Sequence, residues 1–233
     1  MDGIRGSLTL DDRKTRSHMF ITLEGIEGSG KSTQIAAITR WLKDAGYDCL
    51  TTREPGGTAI GGQIRSVLLH PSNDDMAPGT ELLLYVADRV QHLETVVRPA
   101  LKAGKTVVCD RYFDATMVYQ GYARGLDKEM IRRLHQLACG GLTPDLTLLL
   151  DLDPEEGLAR AWRRIASDDA HAAESRFEKE KLAFHRRVRA GYLDLARKEP
   201  KRFRVIDAAA DPAVVSRQIE AALAAFIKGS VKC

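Results

Sequence analysis

Eight consecutive residues, Gly25-Ile26-Glu27-Gly28-Ser29-Gly30-Lys31-Ser32, set glycines, a lysine and a hydroxyl in the order G-x-x-x-x-G-K-S. That order suits a polyphosphate. Glycines let backbone N–H groups turn inward around the anion, and a helix beginning at the lysine aims its positive end the same way. Lys31 can then reach the β and γ phosphates while the Ser32 hydroxyl ligates Mg²⁺. Gly25 to Ser32, with Thr33 next on the helix, are expected to hold a nucleoside triphosphate. A purely structural glycine turn is the alternative, and the strand-to-helix context argues against it.

Three arginines arrive beside this loop. Arg53 lies in Thr52-Arg53-Glu54-Pro55-Gly56-Gly57-Thr58 after a second strand pattern, Arg111 in Asp110-Arg111-Tyr112 after a third, and Arg65 one helical stretch beyond Arg53. Guanidinium forks bind phosphate oxygens two at a time, so three converging arginines point to a second, acceptor phosphate. Taken singly, each would be a surface or ion-pair residue. Asp110, acting through water, joins Ser32 as a metal candidate. Asp151, after a fourth strand pattern, is either a further metal or substrate contact or the cap of the helix at Pro154.

The elements that must position these groups alternate. Strand patterns fall at Phe20 to Leu23, Cys49 to Thr52, Thr106 to Cys109, Leu146 to Leu150 and Phe203 to Ile206. Helical patterns fall at Lys31 to Ala45, Thr80 to Ala103, Lys128 to Cys139, Pro154 to Ile165, Ser175 to Lys198 and Pro212 to Ile227. Alternation of this kind predicts an α/β fold with a mostly parallel sheet, whose ligands sit at the carboxyl ends of the strands. Residues 1–18 read as a disordered extension outside the fold, because they are charged and lack an apolar signal segment.

Composition narrows the class further. The chain has 233 residues, 44% hydrophobic and 29% charged with a formal net charge of +3, which is an ordinary globular balance. No apolar run approaches bilayer length, so no membrane is expected. Cys49, Cys109, Cys139 and Cys233 are widely spaced, which favours a reducing, cytoplasmic setting over a disulfide framework. No GTPase switch or guanine-reading motif is present, and Ile60-Gly61-Gly62-Gln63 matches a transporter-ATPase signature only by chance. The stretch from Arg160 to Arg204 holds 14 basic and 7 acidic residues, so a nucleic-acid-stimulated ATPase stays open as a rival, although a solvated helix face explains it as well.

Thr-Arg-Glu-Pro-Gly-Gly, Asp-Arg-Tyr, Tyr119-Gln120-Gly121 and Pro144-Asp145-Leu146, behind the Gly-x-Glu-Gly-x-Gly-Lys-Ser loop, together resemble the thymidylate kinase (dTMP kinase) family from about Phe20 onward. The resemblance implies a P-loop NTPase three-layer sandwich over residues 19–233, with a five-stranded parallel sheet flanked by helices and a lid. It also implies transfer of the γ-phosphoryl group of ATP to dTMP with Mg²⁺, usually in a homodimer, with no nucleic-acid partner. Carried over, Glu27 is the loop glutamate, Glu54 follows Arg53, and Arg65 and Arg111 meet the dTMP phosphate. Tyr85, where the family more typically has Phe, stacks on thymine and Arg89 bonds its edge, while Thr116 and Gln120 border the base. Without the family, Tyr85 reads as a core aromatic and Gln120 as a solvated amide.

The lid matches less closely. Position 28 is glycine, so the resemblance expects neutralising charge from Arg160, Arg163, Arg164 and Arg176, with Arg164 favoured and Arg160 next. Catalysis then needs Lys31, Glu27, Arg111 and a lid arginine but no general base, since the acceptor phosphate is already a nucleophile. Another nucleoside monophosphate kinase of the same architecture is the second rival.

Overall fold

Parallel strands cannot be joined by tight turns, and the chain between successive apolar runs is long enough for a crossover helix each time. The structure, a computed structural model, describes residues 18–167 and 172–230. The expected N-terminal extension therefore lies outside the described residues except at His18. Five strands form, β1 (Phe20–Glu24), β2 (Cys49–Arg53), β3 (Thr106–Asp110), β4 (Leu146–Asp151) and β5 (Phe203–Asp207). They pair in the order β2-β3-β1-β4-β5, and every pairing is parallel.

A parallel sheet is covered on both faces, so its inner strands carry near-continuous apolar runs. β1 and β4 are buried along their length up to Asp151, whereas edge strands β2 and β5 alternate with solvent. Ile21, Leu23 and Val108 join the larger core cluster, while Phe20, Val107 and Cys109 pack with Leu93, Val97, Tyr112 and Cys139 in a smaller one. Nine helices surround the sheet among the described residues, in chain order α1 (Lys31–Asp44), α2 (Ala59–Leu69), α3 (Pro78–His92), α4 (Arg98–Lys102), α5 (Phe113–Thr116), α6 (Lys128–Cys139), α7 (Pro154–Ile165), α8 (Leu182–Lys198) and α9 (Pro212–Ser230).

Three expectations need correction. Each strand runs one residue past its expected end, and the added residue is charged: Glu24, Arg53, Asp110, Asp151 and Asp207. A charge ends an apolar pattern without ending the hydrogen-bond ladder, so the carboxyl edge of the sheet is lined with ionisable groups. The single helix expected over Thr80 to Ala103 is instead α3, a π-helical stretch Leu93–Val97 and α4. Pro99 has no N–H to donate, and the ladder widens there, with the Arg98 amide reaching back to the Leu93 carbonyl. The helix expected from Ser175 begins only at Leu182. About two turns are given up because Arg176 is drawn to α2 and α3, its amide donating to the Leu69 carbonyl at 3.2 Å and its side chain to Glu81 at 2.6 Å. A second π-helical stretch, Met117–Ala123, continues α5 and was not expected.

One buried pair ties two of these layers together. Arg202, just before β5, donates to both carboxylate oxygens of Asp114 at 2.6 and 2.7 Å and to the Thr147 hydroxyl at 2.8 Å. Asp114 is only 2% exposed, so without Arg202 its charge would be stranded. Arg202→Ala should lower the unfolding free energy by about 3 kcal/mol, read as a shift in denaturant midpoint at unchanged slope, because breaking a buried pair leaves its partner uncompensated. A shift within about 0.5 kcal/mol would show the pair to be without weight.

Candidate active site

The loop after β1 is shaped by two glycines. Gly30 caps α1 in the left-handed region, at φ 89°, which turns the chain so that Lys31 opens the helix. Gly28, at φ 70°, lies against α7 so closely that a Cβ would run into the Gly157 carbonyl, and a Cβ on Gly157 would in turn come within 2.6 Å of the Glu27 carbonyl. Any side chain at position 28 would push α7 away. Lys31 folds back into the loop, donating to the Gly25 and Ile26 carbonyls at 3.0 and 2.9 Å. Burial, reinforced by the positive charge of Arg111, lowers its pKa to about 8.

Glu27 leaves this loop toward the end of β3. One carboxylate oxygen accepts from Arg111 at 3.0 Å and from the Tyr119 hydroxyl at 2.5 Å, and the other faces His185 Nδ1 at 3.2 Å. Burial would raise its pKa, but His185 and Arg111 overcome that and hold it well below the ordinary carboxylate range. Arg111 also donates to the Tyr119 and Tyr192 hydroxyls at 2.9 and 3.2 Å. Its φ of 64° is the only positive value at a non-glycine residue among the described residues, and it swings the guanidinium over the loop. Beside it, Asp110 Oδ1 is buried with no hydrogen-bond partner.

The second half of the site is built by α2, α3 and α5. Arg65 donates to the Pro55 carbonyl at 3.0 Å and, through Nε and Nη2, to Glu174 at 2.9 and 2.7 Å. Arg89, 1% exposed, donates to Glu54 at 2.8 Å and to the Thr116 hydroxyl at 2.9 Å. The other Glu54 oxygen meets His92 at 2.8 Å, so this carboxylate holds Arg89 in place. Gln120 is likewise fixed, its amide donating to Glu81 at 2.8 Å. Burial, with the Glu81 charge, raises the Tyr85 phenol and keeps it neutral.

One cavity of about 650 Å³ is lined by most of these groups, though not by Glu81, His92, His185 or Tyr192. Its walls include Glu27 to Ser32, Thr33, Arg53, Glu54, Arg65, Tyr85, Arg89, Asp110, Arg111, Thr116, Gln120, Arg160 and Arg164, together with the apolar Ala208, Ala210, Pro212 and Val215. The sequence reading is thus brought together at a single place, across which the phosphate loop faces two arginines.

Three assignments change. Arg176 is 4% exposed, bound to Asn73, Leu68 and Glu81, and not in the cavity wall, so it anchors the chain. Arg163 is exposed, donates back to the Ala159 carbonyl at 3.3 Å and is not in the cavity wall. Asp151 is closed off by a two-pronged bond from Arg189 at 2.7 and 2.9 Å, and it is Asp153 that caps α7 by accepting from the Glu155 amide. Arg160 reaches the Ala208 carbonyl and Glu156, whereas Arg164 has a looser pairing with Glu178 at 3.7 Å. The sequence reading missed Tyr119, Tyr192, His185, Glu174 and Phe177 as parts of the site. His185 and Tyr192 are seven residues apart, one face of α8, and that period was the available signal.

The family model for thymidylate kinase matches residues 23–219. A thymidylate kinase of Desulfosudis oleivorans is 60% identical over 205 residues, covering 88% of this chain and 96% of that protein. One from Oleidesulfovibrio alaskensis is 55% identical over 206 residues, covering 88% and 97%. Among solved structures, a thymidylate kinase from Ehrlichia chaffeensis superposes with a TM-score of 0.71 at 32% identity, covering 90% of this chain and all of that one.

Glu24, at the root of the loop, offers a test of this electrostatic arrangement. Burial, together with the nearby Asp114 charge, raises its pKa from 4.5 to about 8 against the pull of Arg111 and bonds from Tyr192 and Tyr112. A raised carboxyl pKa stabilises the fold below pH 4.5, and that contribution is lost as pH climbs to about 8. Melting temperature should therefore fall between pH 5 and pH 8, and Glu24→Gln, which mimics the protonated acid, should remove most of that decline. Equal slopes in the two proteins would mean that Glu24 is ionised throughout.

Proposed function

The chain belongs to the thymidylate kinase family, and from that premise we propose how its cavity performs the family's reaction, transfer of the γ-phosphoryl group of ATP to dTMP to give dTDP. The observation that carries the mechanism is the single cavity in which the phosphate loop and the arginines Arg65 and Arg111 face one another. The loop amides and the start of α1 hold the ATP phosphates, and Lys31 exchanges its carbonyl partners for β and γ oxygens. The apolar end at Ala210, Pro212 and Val215 takes the adenine.

On the acceptor side Arg65 and Arg111 hold the dTMP phosphate in line. Tyr85 covers thymine, with Arg89, Thr116 and Gln120 at its edges. Glu27, kept ionised, orients Arg111 between the loop and the acceptor. An oxygen of the dTMP phosphate attacks the γ-phosphorus as the bond to the β,γ-bridging oxygen breaks and ADP leaves, so no side chain needs to remove a proton. Arg164 neutralises the migrating group, because of the two arginines that α7 brings to the cavity it has the looser pairing.

The residues fit a magnesium ion. Asp110 Oδ1 is buried and lacks a partner, and the Ser32 hydroxyl lies open to the cavity in the first turn of α1. Mg²⁺ keeps several waters and phosphate oxygens and needs few protein ligands, consistent with no three-residue cluster of metal-binding side chains among the described residues. Ser32 and Asp110 would hold it, and bound there it would neutralise charge on the ATP phosphates.

We extend the proposal to a homodimer and a cytoplasmic enzyme whose catalytic domain is residues 19–233. Exposed Ile60, Val67, Leu83, Met130 and Leu137 lie on α2, α3 and α6, which pack side by side and offer an apolar face to a second copy. Cys49, Cys109 and Cys139 are free, as in a reducing compartment. Among the described residues no helix is long and apolar enough to cross a membrane.

A panel of nucleoside monophosphates with ATP and Mg²⁺ tests the substrate. dTMP should give the highest kcat/KM by at least about tenfold, and Lys31→Ala should lower turnover about 10³-fold or more with an unchanged circular dichroism spectrum. Preference for AMP or UMP, or stimulated ATP hydrolysis on DNA with no phosphorylated product, would sink the assignment. For the lid, Arg164→Ala should reduce kcat steeply, by about 10³-fold, and leave ATP affinity nearly constant, with little rescue by lysine. Arg160→Ala should chiefly weaken ATP binding, since it sits beside Ala208. The reverse pattern would exchange the two roles.

A further inference from the structure

Arg65 already holds an anion. Its Nε and Nη2 donate to the two oxygens of Glu174 at 2.9 and 2.7 Å, the same paired geometry that a guanidinium offers to two phosphate oxygens. Glu174 is remote in sequence, lines the same cavity as Arg65, and has a side chain 37% exposed, so the pair is open to displacement by a solute.

The chain that carries Glu174 is anchored from the opposite side. Two residues on, Arg176 points into the protein, donating to the Leu68 and Asn73 carbonyls at 3.0 and 2.8 Å and to Glu81 at 2.6 Å, with its amide on the Leu69 carbonyl. Phe177 packs edge-on against Tyr119 with ring centres 5.4 Å apart. Glu178, on the same turn, faces Arg164 at 3.7 Å. A turn pinned in this way keeps the Glu174 carboxylate within reach of Arg65 even after its own bonds break, so its effective concentration there stays high.

Resting on the reading of Arg65 as a ligand of the acceptor phosphate, we propose that Glu174 is an internal stand-in for that phosphate, and that dTMP binds by displacing its carboxylate from Arg65. Glu174 thereby sets the affinity for the acceptor. The apparent dissociation constant is the intrinsic one divided by the fraction of time that Arg65 is free, so a partly exposed ion pair that leaves it free about one fifth of the time accounts for a factor of about five. Were Glu174 only a brace that holds Arg65 in position, its removal would act with the opposite sign.

Calorimetric titration of dTMP in the absence of ATP separates these cases. Glu174→Ala and the nearly isosteric Glu174→Gln should each bind dTMP about fivefold more tightly than wild type, while thymidine, which has no phosphate, should bind all three proteins alike. Arg65→Ala should bind dTMP about tenfold or more weakly. Unchanged or weakened dTMP binding in both Glu174 variants, with Arg65→Ala impaired, would overturn the proposal and leave the acceptor site standing. Equal tightening of thymidine would also overturn it, because the effect would not act through the phosphate. Full dTMP affinity in Arg65→Ala would instead remove the acceptor reading itself, and the proposal with it.

Discussion

The ion pair between Glu27 and Arg111 is the constraint on which the rest of the site depends. It joins the phosphate loop after β1 to the end of β3, and the Tyr119 and Tyr192 hydroxyls and His185 close around it from the Met117–Ala123 stretch and α8. Four separate segments thus meet at one carboxylate and one guanidinium. Arg111 can keep its unfavourable positive φ because its backbone amide donates to the Leu23 carbonyl at 2.9 Å while its side chain is bonded at three points. Such a knot holds charge in a fixed direction before any ligand arrives, which is what charge-stabilising catalysis requires.

Close packing decides where the remaining positive charge comes from. Gly28 and Gly157 let the loop and α7 approach backbone to backbone, and a side chain on either would force them apart. That contact fixes the base of α7, and with it the entry of Arg160 and Arg164 into the cavity. A larger residue in the loop and arginines reaching in from α7 are therefore mutually exclusive arrangements of the same space.

The site rests on a floor of buried carboxylates. Glu24, Glu54, Glu81, Asp88 and Asp114 are all 4% exposed or less. Glu54 is matched by Arg89 and His92, Glu81 by Arg124 and Arg176, and Asp114 by Arg202. Buried pairs of this kind add little net stability over apolar packing, but each half is expensive to strand. Their effect is geometric, since an arginine tied to a buried carboxylate can present only its remaining face to a ligand.

The proposed donor site was legible in the sequence because its chemistry is local. A strand, a glycine-rich turn and a helix with Lys31 at its start are consecutive, and neighbouring backbone amides would do most of the binding, so the motif and its context suffice. The five strands were legible for the same reason, apart from their charged last residues. The family pattern likewise placed Arg65, Tyr85, Arg89 and Arg111 on one cavity. What the tertiary structure alone decided is which polar groups meet across long sequence distances. Arg176 and Arg164 look alike in the chain, yet one is taken by Leu68, Asn73 and Glu81 and the other is left facing the cavity. Glu174 comes to rest on Arg65, and Tyr192 and His185 on Arg111 and Glu27. A side chain's type states what it can donate or accept, but its partner is settled by competition among all the groups that folding brings within reach.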